Sequence, residues 1–343
     1  MNINLETPLG NSEIIFQRNG VQKVRDELRK KHPSSRFIIV TDSNIRKIHE
    51  KLLSSVFLGG LILEIDSGES SKMLGTVERL AGQMLEEGVT RADVLIGFGG
   101  GMVTDLAGFL ASIYMRGMPY SAIPTSLLGM VDAAIGGKTG VDTTAKNILG
   151  TFYPAEMILI DADLLEELPP RQFQIGMAEI IKYAATLDRS LMEDLNADRL
   201  DMDKILKKSV QAKVDIVKKD VSEHGVRKVL NFGHTFGHAV EQLSNYSLSH
   251  GEAISIGMML ANKVAGKLGK QAPDTAEEIE KLLKKFSLPT IMPDNIAPRD
   301  LIDAMKKDKK RLGDKISFII TPKIGKYEVV ELSAEELEKL AFE

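Results

Sequence analysis

The sequence predicts two domains of different class: an α/β N-terminal domain of Rossmann-like kind, a parallel sheet with flanking helices, and a mainly α-helical C-terminal domain. Three observations predict this. In the first half, short apolar runs rich in β-branched residues alternate with amphipathic segments, the pattern of parallel strands joined by crossover helices. Each of those runs ends in a polar or glycine-rich loop. At Leu168-Pro169-Pro170 the alternation stops, and almost only helical periodicity follows. The boundary divides the chain into residues 1–168 and 169–343, and 343 residues exceed the size at which one core keeps growing. The active site is expected in the cleft between the halves.

The elements follow in order. Arg36–Val40 (RFIIV) reads as a buried strand and runs into Thr41-Asp42-Ser43-Asn44, a helix-capping run. Leu61–Ile65 (LILEI) is a second strand, followed by the loop Gly68–Lys72 and a helix to about Glu87. Val94–Phe98 (VLIGF) is a third, entering Gly99-Gly100-Gly101 and then a helix through Tyr114. Ser121–Ile123 and Met157–Ile160 are further strands. In open α/β sheets ligands sit at the carboxyl ends of the strands, which is where these loops fall. In the second half, helical periodicity covers Phe173–Thr186, Met202–Val221, Arg227–Leu243, Glu252–Leu268, Thr275–Phe286 and Arg299–Lys307. A hairpin of Ile316–Ile320 and Tyr327–Val330 and a final helix close the chain.

Composition narrows the function classes. A formal charge of -4 argues against a nucleic-acid binder with a broad basic face, while leaving room for local basic pockets. The chain has no cysteine, which excludes thiolate ligands, cysteine nucleophiles and disulfides and fits a cytoplasmic setting. Its first residues, MNINLETPLG, do not read as a secretory signal. No apolar stretch approaches the roughly 20 residues that a membrane span needs. A soluble cytoplasmic protein that engages neither membrane nor nucleic acid is expected.

Chemistry concentrates in Arg227–Glu252, RKVLNFGHTFGHAVEQLSNYSLSHGE. Three of the chain's six histidines, His234, His238 and His250, fall inside it. Neutral imidazole is the commonest protein ligand for transition metals. His234 and His238 stand four apart on one helix face, and His250 follows a turn just before a new periodic segment. Isolated histidines on helices are usually capping or core residues; three together favour a site. Gly233 and Gly237 thin the same helix at roughly 1 kcal/mol each against alanine, and close approach of the backbone to a ligand is one reason to keep them.

Other loops carry charge or glycine. Gly97–Asp105 (GFGGGMVTD) resembles a dinucleotide loop, because glycines let backbone N–H groups approach a pyrophosphate at a helix start. It departs from GxGxxG, with Met102 where the third glycine would stand. Asp132–Lys138 (DAAIGGK) followed by Thr139-Gly140 invites a P-loop reading, but the position five before Gly137 is Asp132, not glycine. Lys138, Lys146-Asn147 and Arg116 lie in or beside glycine-rich loops and so read as anion contacts. Glu179 lies between apolar neighbours near a predicted helix start. It reads either as a partner of the helix dipole or of Lys182 at i,i+3, or as a carboxylate ligand. Two histidines and a glutamate with open positions form a catalytic zinc pattern. Spacing alone does not choose which two of the three histidines join Glu179.

Six stretches resemble the 3-dehydroquinate synthase family of sugar phosphate cyclases: GGGMVTDLAGFLASIYMRG, IPTSLLGMVDAAIGGKTGV, AKNILGTFYP, GMAEIIKY, VLNFGHTFGHAVE and SHGEAISIGM. They cover most of residues 95–260 in the family's order. The resemblance implies conversion of 3-deoxy-D-arabino-heptulosonate 7-phosphate into 3-dehydroquinate and phosphate, a step of the shikimate pathway. It implies NAD as a recycled catalyst and a divalent metal, zinc or cobalt. Metal ligands implied by it are Glu179, His234 and His250, with His238 beside the substrate as a polar or proton-transfer partner. Implied substrate positions are Asp132, Lys138, Asn147, Lys182, Lys213, Arg227, Asn231 and Lys309, together with Arg116, which in the family reaches the phosphate from the neighbouring subunit and so implies a homodimer. Of these, Lys138, Asn147, Lys182, Arg227, Asn231 and His238 are the implied catalytic set. For NAD the matching positions are Asp42, Glu69, Lys72, Gly99, Gly100, Gly101, Asp105, Thr125, Ser126 and Lys146, with Asp132 and Lys138 shared. Thr104 and Ala145 stand where the family commonly has glycine, and Ser126 where it has threonine.

The chemistry so implied is transient oxidation at C5, β-elimination of phosphate as the adjacent C6 proton leaves, re-reduction, ring opening and intramolecular aldol closure. Proximity favours the last step. A substrate carrying a carboxylate and a phosphate calls for several cations, which Arg116, Lys138, Lys182, Lys213, Arg227 and Lys309 supply. The nearest rival, a metal- and NAD-dependent polyol or glycerol-phosphate dehydrogenase, needs fewer basic residues. A cyclase acting on another sugar phosphate is a second rival, and a non-enzymatic NAD- or metal-sensing module a third.

Overall fold

The computed structural model describes residues 2–143, 146–309 and 315–343, with 307–309 described as backbone. The chain divides into two compact units, Met1–Pro169 and Pro170–Glu343.

The first unit contains, in order, β1 (Asn2–Thr7), β2 (Gly10–Phe16), α1 (Val21–Lys31), β3 (Phe37–Asp42), α2 (Ser43–Ile48), α3 (Glu50–Val56), β4 (Leu61–Ile65), α4 (Leu74–Glu86), β5 (Val94–Gly99), α5 (Gly101–Ile113), β6 (Tyr120–Pro124), β7 (Lys138–Val141), β8 (Leu149–Phe152) and β9 (Met157–Ile160). Seven strands form one sheet in the order β1-β2-β9-β6-β5-β3-β4. All its pairings are parallel except β1 with β2. Strands β3, β5, β6 and β9 are buried at every position. That is what a parallel sheet covered on both faces requires, and their Val, Ile and Phe runs supply it. The amphipathic helices α1 and α4 bury Val21, Val24 and Leu28, and Val77, Leu80 and Met84.

The strand order makes one crevice. From β3 the chain moves outward to β4, then returns to place β5 on the other side of β3. The reversal leaves a gap beyond the carboxyl ends of β3 and β5, where Asp42 and Gly99 stand. Because β1 and β2 precede β3, the glycine-rich turn expected after the third strand follows the fifth. The edge strand β1 keeps most of its residues at least partly exposed, so its sequence NINLET lacks the apolar run that marks the central strands. Lys138-Thr139-Gly140, expected in a loop, opens β7, which pairs antiparallel with β8.

The second unit contains α6 (Pro170–Thr186), α7 (Arg189–Asn196), α8 (Met202–Lys219), α9 (His234–Leu243), α10 (His250–Lys267), α11 (Thr275–Lys285), α12 (Pro298–Lys309), the antiparallel hairpin β10 (Ile316–Lys323) and β11 (Lys326–Leu332), and α13 (Ala334–Phe342). Among the described residues no helix is long and apolar enough to cross a membrane. The single helix expected over Arg227–Leu243 is two pieces. A 3₁₀ segment spans Val226–Asn231, and α9 starts only at His234, after Gly233 turns left-handed at φ +79°. Glu179, expected near a helix start, lies in the middle of α6, because that helix begins at Pro170, a residue preorganised for a first turn.

Glycines set how closely α6, α9 and α10 pack. A Cβ on Gly257 would fall 1.9 Å from the Gly233 oxygen. One on Gly237 would fall 2.6 Å from Ile254 Cδ1, and one on Gly251 2.5 Å from Ile175 Cα. Gly233 and Gly237, expected to admit a ligand to the backbone, instead admit α10.

Candidate metal centre and nucleotide-binding turn

The close packing of three helices brings three ligating side chains together. Glu179 projects from α6, His234 is the first residue of α9, and His250 the first of α10. One ligand atom from each lies within 4.8 Å of the others. Glu179 Oε1 is 3.6 Å from His234 Nε2 and 3.3 Å from His250 Nε2. Glu179 is fully buried, and its Oε2 pairs with the buried Lys182 ammonium one turn further along α6. The His238 ring stands beside them, its centroid 5.3 Å from that of His234 and 6.0 Å from that of His250.

Hydrogen bonding assigns the ring of His234. Its Nδ1 lies 3.1 Å from the Phe232 carbonyl oxygen. A carbonyl only accepts, so Nδ1 carries the proton and Nε2 turns its lone pair toward Glu179. Burial, with Lys182 close by, holds His234 well below the usual imidazole range. Burial also disfavours a charged His250, but the carboxylates of Glu179 and Glu241 outweigh it and push that ring up to about 9. The two-nitrogen, one-oxygen set with further positions open is the donor set of a catalytic divalent metal such as zinc, so these residues fit that group.

In the same unit, Arg227 is buried, and its Nη1 donates to the Val221 oxygen at 2.6 Å. The loop before it is held by Asp220, whose carboxylate accepts from the backbone N–H groups of His224, Gly225 and Arg227. Asn231 Nδ2 donates to Glu223 Oε1 at 2.7 Å. Lys213 is buried on α8. The side chain of Lys309 lies outside the described residues, as does Ala145. Sequence reasoning missed Glu241, Glu223 and Asp220. For Glu241 a signal existed: it follows His234 at i+7 and His238 at i+3 on the same helix stripe.

In the first unit, the residues expected to hold a nucleotide gather at the crevice of the sheet. Gly100 caps α5, the Thr125 N–H donates to the Gly99 oxygen at 2.8 Å, and Ser126 Oγ accepts from Gly129 N at 3.2 Å. A Cβ on Gly100 would meet nothing nearer than Ser126 Oγ at 3.5 Å. Thr125 Oγ1 and Thr41 Oγ1 are buried without a hydrogen-bond partner among the described residues. A glycine-framed helix start, where a Cβ on Gly100 would make only ordinary contact, fits a phosphate-bearing nucleotide. Asp42 caps α2, accepting from Asn44 N and Ile45 N. Lys72 is buried and donates to Asp105 Oδ2 and Asn147 Oδ1, each at 2.7 Å, with Glu69 Oε1 3.9 Å away. Burial works against its charge, but Asp105 and then Glu69 more than offset that and raise its pKa. Asn147, expected at the substrate, thus joins the expected nucleotide residues. Asp132 lies in a π-helical turn, Lys138 and Lys146 are exposed, and Arg116 projects from an exposed turn at φ +72°.

Residues 62–175 match the family described as 3-dehydroquinate synthase N-terminal, and residues 176–311 the one described as 3-dehydroquinate synthase C-terminal. A relative named 3-dehydroquinate synthase, from Thermodesulfovibrio yellowstonii, is 38% identical over 96% of each chain. Among solved structures, a 2-deoxy-scyllo-inosose synthase complexed with carbaglucose-6-phosphate, NAD+ and Co2+ shares the fold, with a TM-score of 0.89 and 24% identity over 99% of each chain. The 2-epi-5-epi-valiolone synthase of Streptomyces hygroscopicus, solved with NAD+ and Zn2+ bound, superposes at a TM-score of 0.85 with 28% identity over 95% of this chain and 94% of its own. Both halves of the sequence and its curated relative agree, and the chain belongs to the 3-dehydroquinate synthase family.

Proposed function

We propose that this chain is a 3-dehydroquinate synthase, a phosphate-eliminating lyase that converts 3-deoxy-D-arabino-heptulosonate 7-phosphate into 3-dehydroquinate and phosphate. Beside family membership, the observation that carries the reading is the buried convergence of His234 Nε2 and His250 Nε2 on Glu179 Oε1. Glu179, His234 and His250 would hold a divalent metal. Asp42, Glu69, Lys72, Gly99, Gly100, Gly101, Asp105, Thr125, Ser126 and Lys146 would hold NAD, with Asp132 and Lys138 shared between nucleotide and substrate. NAD and zinc in the 2-epi-5-epi-valiolone synthase support this assignment. When bound, NAD supplies a reversible hydride acceptor and the metal a Lewis acid toward substrate hydroxyls.

The chain's own residues do the rest. Lys182 neutralises Glu179 Oε2, leaving Oε1 as the outward donor. Arg227 and Lys213 meet the substrate's negative charge, held rigidly because both are buried. Asn231, fixed by Glu223, orients hydroxyls, and His238, whose ring stands beside the two ligand rings, serves as the polar or proton-transfer partner. Elimination expels phosphate as the neighbouring C6 proton leaves, with the departing phosphate's own oxygen able to take it.

A homodimer and a cytoplasmic location belong to the same reading. The exposed turn of Met115, Arg116 and Gly117, with three consecutive positive φ angles, projects Arg116 outward beside the exposed apolar Ile113 and Met115. That is a suitable form for an arginine lent to a second copy. The test is product identification by NMR after incubation with the heptulosonate phosphate, Zn²⁺ or Co²⁺, and NAD. Formation of 3-dehydroquinate supports the reading. Turnover only with a sugar phosphate lacking the carboxylate would reassign the chain to another cyclase activity.

A further inference from the structure

One buried acid has no part in the chemistry above. Glu241 follows His234 and His238 along one stripe of α9 and is 6% exposed. Its Oε2 lies 3.5 Å from His250 Nδ1, the ring nitrogen opposite the one that meets Glu179. A buried carboxylate is costly unless polar groups face it. Its main-chain oxygen accepts from Ser244 Oγ at 2.8 Å and Tyr246 N at 3.0 Å, so the side chain hangs from a tethered point at the end of the helix.

We propose that Glu241 is a positioning residue for the metal centre: its carboxylate receives the Nδ1–H of His250 and so commits the Nε2 lone pair of that ring to the ion. The inference rests on the proposed metal-dependent function. The two ligand rings are then oriented by different groups. His234 donates to a main-chain carbonyl, which no side-chain substitution removes, whereas His250 donates to a side chain that one substitution removes. A carboxylate behind a ligating imidazole also strengthens it as a donor, and such outer partners typically contribute about 10–100-fold in metal affinity.

The test uses the full chain with Zn²⁺ or Co²⁺ alone, titrated in competition with a chelator, for wild type, Glu241→Ala and Glu241→Gln. Glu241→Ala is expected to weaken metal binding about 10–100-fold and to displace the visible absorption bands of the Co²⁺ form. Glu241→Gln, which still offers an acceptor oxygen, recovers part of the affinity with the bands still displaced. NAD binding stays at the wild-type level in both, which separates positioning from a general loss of structure. Wild-type affinity and an unshifted Co²⁺ spectrum in both variants would overturn the proposal. Should Glu241→Ala not fold, Glu241→Gln decides alone by the same two readouts. A wild-type chain that binds neither metal would overturn the metal-dependent function itself, and this inference with it.

Discussion

At the β5–α5 turn a Cβ on Gly100 would meet nothing nearer than Ser126 Oγ at 3.5 Å, whereas on α10 a Cβ on Gly257 would lie 1.9 Å from the Gly233 oxygen. Both candidate sites are framed by glycines, but the glycines answer to different neighbours. In the second unit the protein needs them for itself, because α9 and α10 touch through them and that contact brings His234 and His250 to Glu179. In the first unit Gly99, the last residue of β5, is confined by Val103 of α5, while a Cβ on Gly100 would make only ordinary contact with Ser126. Space beside a helix start is what an anion takes. The difference teaches that a glycine-rich motif has two physical meanings, tight packing or room for a ligand, and only the neighbours tell them apart.

The largest effect expected is at the metal centre. His250→Ala should abolish both activity and metal retention while the far-ultraviolet circular dichroism stays as in wild type. A folded variant with full metal content by elemental analysis would break the ligand assignment. Gly257→Ala comes next. The added methyl forces α9 and α10 apart, and we expect a loss of about 3 kcal/mol in chemical denaturation, at the upper end for overpacking, even without metal or nucleotide. Gly100→Ala should act in the opposite sense: nucleotide affinity falls about tenfold, or ~1.4 kcal/mol, while stability changes by about 1 kcal/mol or less. If Gly257→Ala left stability intact, or Gly100→Ala unfolded the first unit, the contrast between packing and ligand glycines would be wrong.

The smallest effect concerns the loop that carries Arg227. Burial works against ionised Asp220, but the N–H groups of Arg227, Gly225 and His224 hold its carboxyl below the usual carboxylate range. A folded value below the unfolded one means the contribution is present above the unfolded value. It is lost as pH falls through the folded value. Asp220→Asn should therefore lower stability modestly near neutrality, where the contribution is present, with the difference from wild type closing as pH falls through the folded value, read by chemical denaturation across pH.

Much of this was legible in residue order. The strands β3, β5 and β9 are apolar runs, which a buried parallel strand must be, β4 is an apolar run broken by the exposed Glu64 of an edge strand, and the six principal helices of the second unit carry strong periodicity. The clustering of three histidines with Gly233 and Gly237 pointed to the segment that supplies two of the three converging side chains. Three things were not legible, for physical reasons. β1 is the edge strand and β2 its antiparallel neighbour, and both mix polar with apolar residues, so neither carries a long apolar run. Helix α7 has only eight residues, too few for a clear period. Nothing in the spacing shows that Gly257 lies against Gly233, or that Glu241 backs His250, because these contacts join separate helices. For the same reason spacing alone could not choose among the histidines, whereas the geometry sets His234 and His250 on Glu179 and leaves His238 beside them.

The most direct test of the account is the ratio of phosphate released to NAD supplied, measured on the purified chain with the heptulosonate phosphate and Zn²⁺ or Co²⁺. A recycled internal oxidant predicts phosphate in large excess over NAD, with no net NADH. NADH accumulating in step with substrate consumed, and no phosphate released, would contradict the account and place the activity among the dehydrogenases.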